Sequence, residues 1–264
     1  MISNIVKKAV RWNQLSHTDQ DRYRREFERQ KFRVMGLIAR VVSVFPLPIT
    51  TFLELSGSDK HQPRQKNRHQ YGFAYTRAFA DYRFKKIKIL EIGIGGYGYR
   101  IGGESLLAWR AIFPFASILA ADIEPKPDIK IPGVSVFQID QSDKSGLDNF
   151  AKENGPFKII IDDGSHMSMH QILTFKTLFR HLSDGGVYVI EDVETSCWTH
   201  DGWDGSPVQS ELFSNTCVGY FSKLAKYVSV RNNFESLEQT DIEIVSNTIS
   251  VYFERNLIII NKRG

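Results

Sequence analysis

Two runs of apolar residues, each ending abruptly in carboxylates, constrain this chain more than any other feature. Lys158-Ile-Ile-Ile161 runs into Asp162-Asp163-Gly164-Ser165-His166, and Val187-Tyr-Val-Ile190 runs into Glu191-Asp192. In a parallel α/β sheet, neighbouring strands present their C-terminal ends along one edge, where ligands bind. Carboxylates crowded there repel one another unless a cation or a shared proton relieves them. A histidine three residues past one cluster adds a candidate base beside a hard-metal site.

The rest of the chain supports such a sheet. Ile87–Ile92, Ser117–Ala121, Val134–Ile139, Phe157–Ile161 and Val187–Ile190 read as five strands. Helical patterns at Ser105–Phe113, Ser145–Glu153 and Met167–Leu182 fall between them, and Asp184-Gly185-Gly186 is expected to turn the last into strand five. Thr248–Phe253 and Leu257–Ile260 flank Glu254-Arg-Asn256 as a terminal hairpin. The alternation predicts an α/β fold, a doubly wound, Rossmann-like, mostly parallel sheet with a C-terminal antiparallel hairpin. An N-terminal helical extension and linker are expected over 1–58, ahead of the main domain at 59–264.

The 264 residues carry a net charge of only +4, but its placement is uneven. Lys7, Lys8, Arg11, Arg22, Arg24, Arg25, Arg29, Lys31, Arg33 and Arg40 make the N-terminal region basic. Lys60, Arg64, Lys66, Arg68, Arg77, Arg83, Lys85 and Lys86 add to it. No base-stacking or recognition-helix pattern accompanies them, which argues against nucleic acid as a partner. Thr18 with Asp21 is expected to open a helix whose face carries Phe27, Lys31, Val34, Ile38, Val41 and Val42, and Pro46-Leu-Pro48 to stop it. That stripe is expected to pack on the main domain or on a second copy, a homo-oligomer. A peripheral contact with an anionic membrane surface is the alternative. Polar, turn-rich residues 56–70 read as a linker or lid. Cys197 and Cys217 lack metal-ligand spacing and suit a reducing, cytoplasmic setting.

Leu90-Glu91-Ile92-Gly93-Ile94-Gly95-Gly96-Tyr97-Gly98 holds a literal G-x-G-x-x-G after a strand. Alone, that string fits nicotinamide-binding and methyl-donor-binding folds equally. Asp122, at the end of strand two, is placed to accept hydrogen bonds from ribose hydroxyls. Glu91 sets an anion where a pyrophosphate binder needs only amides, and the next helix begins late, near Ser105. Both details favour a cationic sulfonium with an amino-acid tail.

These strings, with Gly102-Gly-Glu-Ser-Leu106, Trp109, Asp140-Gln-Ser-Asp143, His170 and Thr195-Ser-Cys-Trp198, resemble class I S-adenosylmethionine-dependent O-methyltransferases. The likeness is to the metal-dependent branch that acts on macrolide sugars, and it covers roughly residues 59–262. The resemblance implies Asp163, Glu191 and Asp192 as Mg²⁺ ligands and His166 as general base. It implies Glu91, Gly93, Gly95, Asp122, Asp140 and Gln141 as positions for S-adenosyl-L-methionine, with Tyr71 and Ser105 toward the methionine end. The acceptor it implies is a hydroxyl on a sugar or other glycosylated small molecule.

Other readings remain open at this point. A nicotinamide-dependent oxidoreductase would use the same glycine loop, and a catechol-like acceptor would suit the same metal. A non-catalytic binding domain anchored by its basic helix is a third class. Asp162 either orients the methionine amine or caps its loop. His170, one helical turn past His166, supports it or packs. Trp198 and Trp203 either stack on a sugar or belong to the core.

Overall fold

The computed structural model of the protein describes residues 16–43, 45, 47–61, 69–96, 100–230 and 234–264, without the side chains of 40 and 42. The basic residues Lys7, Lys8, Arg11, Arg64, Lys66 and Arg68, the tip of the glycine loop at 97–99 and the centre of the expected lid lie outside the described residues.

A sheet of seven strands organises the chain. β1 (Lys88–Ile92), β2 (Ser117–Asp122), β3 (Val134–Gln138), β4 (Phe157–Asp162) and β5 (Leu182–Glu191) are followed by β6 (Thr248–Glu254) and β7 (Leu257–Lys262). Their spatial order is β3-β2-β1-β4-β5-β7-β6. β1 to β5 pair in parallel, and β7 pairs antiparallel with both β5 and β6. The order reverses between β1 and β4, so the crevice for ligands opens at the ends of those two strands. Ile159, Ile160 and Ile161 are fully buried, as are Tyr188, Val189 and Ile190, because helices cover both faces.

Two apolar cores sandwich the sheet. One receives α1 (His17–Val42), α2 (Ile49–Ser56), α3 (Gly72–Phe79) and α4 (Glu104–Ile112). The other lies under α5 (Lys144–Asn154), α6 (Ser168–Leu178), α7 (Cys217–Val230) and α8 (Gln239–Ser246). Pro48 stands at the start of α2, a helix that sequence patterning did not pick out. The helix expected over Met167–Leu182 ends at Leu178, and β5 already begins at Leu182, carrying Asp184-Gly185-Gly186 as its first turn of chain.

The N-terminal helix departs from expectation in two ways. Its cap is Ser16, whose hydroxyl accepts from the Asp19 amide, in place of Thr18 with Asp21. The stripe expected to pack on the main domain or on a second copy does not meet the main domain: Phe27, Val34, Ile38 and Val41 are exposed in the single chain. Phe32, Gly36 and Ala39 are buried instead, with Met35 packed beside them. Both stripes obey the helical period. The side that carries Phe32 and Ala39 meets the main domain, and the bulkier stripe is left facing solvent. No helix among the described residues is long and apolar enough to cross a membrane.

This orientation is testable by urea unfolding. Phe32→Ala should cost about 3–5 kcal/mol, as for other buried phenylalanines. Phe27→Ala should stay within about 0.5 kcal/mol. The reverse ranking would mean that the helix packs through its other face.

Candidate functional site

The end of β1 meets the end of β4 with no space to spare. A side chain on Gly93, which has a φ of 78°, would place its Cβ 2.0 Å from the Asp163 carbonyl oxygen. Gly93 therefore lets the first strand's loop close against the acidic one. The Asp163 amide donates to the Ile92 carbonyl at 2.8 Å, and the Gly93 amide to Ala121 at 2.8 Å. Beyond them the loop returns on itself through the Gly103 amide bonding to the Ile94 carbonyl at 2.7 Å, and α4 starts at Glu104.

A cleft of about 290 Å³ opens over this crossing, lined among others by Gly93, Gly95, Asp122, Asp140, Gln141 and Gly164. Five of the nine residues expected at the methyl donor thus share one cavity. Asp122 also braces the loop, accepting from the Ile94 amide at 3.1 Å and the Glu124 amide at 2.9 Å. Lys126, which sequence reasoning passed over, reaches back to the Gly95 carbonyl at 2.6 Å. Gln141 donates to Asp162 at 2.6 Å and accepts from the Ser165 amide at 2.8 Å, which ties this cleft to the acidic loop. His170 hydrogen-bonds Ser165 at 2.8 Å and lines the same cleft.

The other four expected donor residues lie outside that lining. Asp162 is fully buried beneath the loop. Glu91 is also fully buried, and one of its oxygens accepts from Ser105 at 2.9 Å and from Trp109 Nε1 at 3.1 Å. Tyr71 stands against Asp192, donating to Oδ1 at 2.5 Å.

The carboxylates form two overlapping groups that share Asp163. Glu91, Asp163 and Glu191 make an inner group; Asp163, Asp192 and His166 make an outer one. The inner group surrounds Lys60, only 1 % exposed, whose Nζ lies 2.5 Å from Glu191 Oε1, 2.6 Å from Asp163 Oδ2 and 3.3 Å from Glu91 Oε1. Burial alone lowers the pKa of an ammonium, but the three carboxylates more than offset it and hold Lys60 charged. Tyr75 donates to the same Glu191 oxygen. Asn256 donates to Asp192 Oδ1 at 2.9 Å.

One oxygen of each expected metal ligand is thus committed to the protein. Among the described residues, no hydrogen bond goes to Asp163 Oδ1, Glu191 Oε2 or Asp192 Oδ2. Asp163 and Asp192, each with one such oxygen, could hold a hard cation such as Mg²⁺ that keeps further positions for water or substrate oxygens, whereas Glu191, the third expected ligand, falls in the inner group. Lys60 supplies one positive charge among these carboxylates, bonding to Glu91, Asp163 and Glu191 and not to Asp192.

His166 sits at the mouth of the outer group. Its Nε2 lies 3.7 Å from Asp192 Oδ2, and its backbone is left-handed, with φ 58°. Asp192 (φ 53°) and Asn256 (φ 62°) share that conformation. The Thr195 hydroxyl donates to the His166 carbonyl at 2.7 Å, and Asp204 caps α6 by accepting from the Ser168 and Met169 amides at 2.8 and 2.7 Å. A second cleft of about 270 Å³ lies on the far side of Tyr71 and Asn256, lined also by His69, Phe73, Arg77 and Glu254. Trp198 and Trp203 pack edge to face on one another at 4.9 Å.

Fold and cleft resemble those of S-adenosylmethionine-dependent methyltransferases, and the carboxylates beside the cleft are a candidate metal site. The MycE methyltransferase of the mycinamycin biosynthetic pathway, solved with Mg, SAH and mycinamycin VI, superposes with a TM-score of 0.72 at 30% identity over 82% of this chain and 55% of that one. No family model matches the chain. Mycinamicin VI 2''-O-methyltransferase of Micromonospora griseorubida is 35% identical over 191 residues, 72% of this chain and 45% of that protein. The 8-demethyl-8-alpha-L-rhamnosyl tetracenomycin-C 2'-O-methyltransferase of Streptomyces olivaceus is 34% identical over 198 residues, 74% of this chain and 51% of that one. Demethylmacrocin O-methyltransferase of Streptomyces fradiae is 40% identical over 153 residues, 58% and 39% of the two chains. The chain is a homologue of these sugar O-methyltransferases, and it spans about half the length of the relatives it matches.

The buried acids make a prediction about stability. Burial raises Glu91 to about 7 despite Lys60, and raises Asp162 to about 7 despite its bonds from Gly164 and Gln141. An unfolded carboxylate titrates near 4. Between those values the native state keeps protons that the unfolded chain has released, so these two groups make stability fall as pH rises from about 4 to about 7. Asp162→Asn should make the fall in Tm of the metal-free protein shallower across that range. An unchanged slope would show that Asp162 does not ionise there.

Proposed function

We propose that the protein transfers a methyl group from S-adenosyl-L-methionine to a hydroxyl of a sugar or glycosylated small molecule, with Mg²⁺ as cofactor and His166 as general base. The observation that carries this reading is the crossing at Gly93, which sets the glycine-lined cleft directly against the Asp163 loop and its carboxylate centre. The homologues' names and the Mg and SAH in the MycE complex support the same chemistry.

Gly93, Gly95, Asp122, Asp140 and Gln141 would hold the methyl donor, and Asp163, Glu191 and Asp192 the cation. When bound, the donor supplies an electrophilic methyl and the cation lowers the pKa of an acceptor hydroxyl. The residues of the chain do the rest. His166 Nε2 takes the hydroxyl proton, helped by Asp192, which stabilises the imidazolium that forms. Tyr71 and Asn256 hold Asp192 from behind, and Lys60 and Tyr75 hold Glu191, so both carboxylates keep one orientation. Such positioning accounts for much of the rate in a transfer between two bound reactants.

The acceptor enters from the second cleft, on the Tyr71 side of the centre. Phe73, 61% exposed there, offers a ring face to a sugar, and the Arg77–Glu254 ion pair offers polar partners at the rim.

Two measurements test this assignment. In calorimetry the protein should bind S-adenosyl-L-methionine, and His166→Ala should keep that affinity within a few-fold while turnover falls by about 10²–10⁴. Turnover retained in His166→Ala would remove the histidine from the mechanism, and binding of NAD⁺ in place of the methyl donor would remove the methyltransferase reading. For the acceptor, Phe73→Ala should raise KM several-fold with kcat and donor affinity near native. An unchanged KM would place the acceptor elsewhere.

A further inference from the structure

The inner carboxylate group already contains a cation, and it is part of the chain. Lys60 Nζ touches one oxygen from each of Glu91, Asp163 and Glu191. Those three residues are close enough to hold an ion by themselves, with ligand atoms all within 4.8 Å of one another. Two overlapping acidic groups sharing one aspartate are the usual framework for a pair of divalent ions held a few ångströms apart. Here one of the two places is filled by an ammonium.

The route by which Lys60 reaches this place is built into the fold. Ser56 and Ser58 form successive turns after α2, and the Ser58 hydroxyl accepts from the Lys60 amide at 3.3 Å. The Lys60 carbonyl accepts from the Tyr71 amide at 2.9 Å, and His61 bridges to Gln70. The backbone is therefore pinned on both sides of the lysine, by α2 before it and by the start of α3 after it. Tyr71 and Tyr75, on the same side, bond to Asp192 and Glu191.

We propose that Lys60 is a positioning residue that acts as a resident monovalent cation: it fills the inner carboxylate group, confines the divalent ion to the outer one and keeps the centre mononuclear. The proposal rests on the metal reading above and adds the stoichiometry and the reason for it. By taking Asp163 Oδ2, the ammonium leaves Oδ1 of the shared aspartate for the outer place. It also joins Glu91, anchored by Ser105 and Trp109 under the donor loop, to the metal side of the site.

Mn²⁺ serves as the probe, with binding measured by calorimetry and the bound ion observed by electron paramagnetic resonance. The native protein should bind one Mn²⁺ per chain with the spectrum of an isolated ion. Lys60→Ala opens the inner place with its three carboxylates intact, and should bind two Mn²⁺ whose spectrum shows spin coupling through the shared Asp163. A single, uncoupled Mn²⁺ of native affinity in Lys60→Ala would overturn the proposal and leave the metal reading standing. Absence of Mn²⁺ binding by the native protein would overturn both. If Lys60→Ala fails to fold, the double variant Lys60→Ala with Glu91→Gln, which removes one charge of each sign, should fold and bind one Mn²⁺. Failure of the double variant to fold would show that Lys60 serves packing and not charge, and would also overturn the proposal.

Discussion

A single buried ammonium makes the carboxylate group of the candidate site tenable. Glu91 and Glu191 are withdrawn almost completely from water, and Asp163 lies between them. Removing a carboxylate from water costs several kcal/mol, and a group of them left unpaired would protonate or force the strands apart. Lys60 answers all three at once. Because its backbone belongs to the segment between α2 and α3, the acidic strand ends and the N-terminal helical layer are held to one another through the site itself. The aromatic column of Tyr75, Phe79 and Trp109 runs alongside, so Tyr75 and Trp109 carry a hydrogen bond to the site at one end and core packing at the other.

The second constraint is conformational. His166, Asp192 and Asn256 are all left-handed residues without being glycine, a backbone state that costs free energy and survives where the surroundings over-determine it. Those surroundings are visible. Thr195 ties the His166 carbonyl, Asp204 fixes the start of the following helix, and the Asn256 side chain both accepts from the Glu194 amide and donates to Asp192. The hairpin turn between β6 and β7 thus does more than end the sheet. It delivers Asn256 to the carboxylate beside the candidate base.

The parallel sheet and its acidic edge were legible because long apolar runs ending in glycine or carboxylate have few other meanings. Asp163, Asp192 and His166 could be placed together from chain order alone, since β4 and β5 had to be neighbours. Lys60 was not legible. A lysine in a polar, basic stretch reads as solvated, and nothing local to Ser58-Asp59-Lys60 reports that three carboxylates distant in sequence require its charge. Asp204 and Asn256 were hidden for the same reason: each acts on residues tens of positions away. The N-terminal helix was legible as a helix, but not the face it turns to the main domain. Two stripes of apolar residues share its surface, and periodicity identifies stripes without saying which one the main domain covers; in the structure that one holds Phe32, Met35 and Ala39. Glu91 and Tyr71 were expected at the methyl donor; the structure turns both toward the carboxylates, Glu91 onto Lys60 and Tyr71 onto Asp192.

The central claim is that one site joins a methyl-donor cleft to a divalent-ion centre across the β1–β4 crossing. A crystal grown with S-adenosylhomocysteine and Mn²⁺, with data collected at the manganese absorption edge, addresses both halves at once. The account predicts one anomalous peak bounded by the outward oxygens of Asp163, Glu191 and Asp192, with the nucleoside in the cleft lined by Gly93, Gly95, Asp122 and Gln141. An anomalous peak elsewhere on the chain, or a nucleoside outside that cleft, would contradict it.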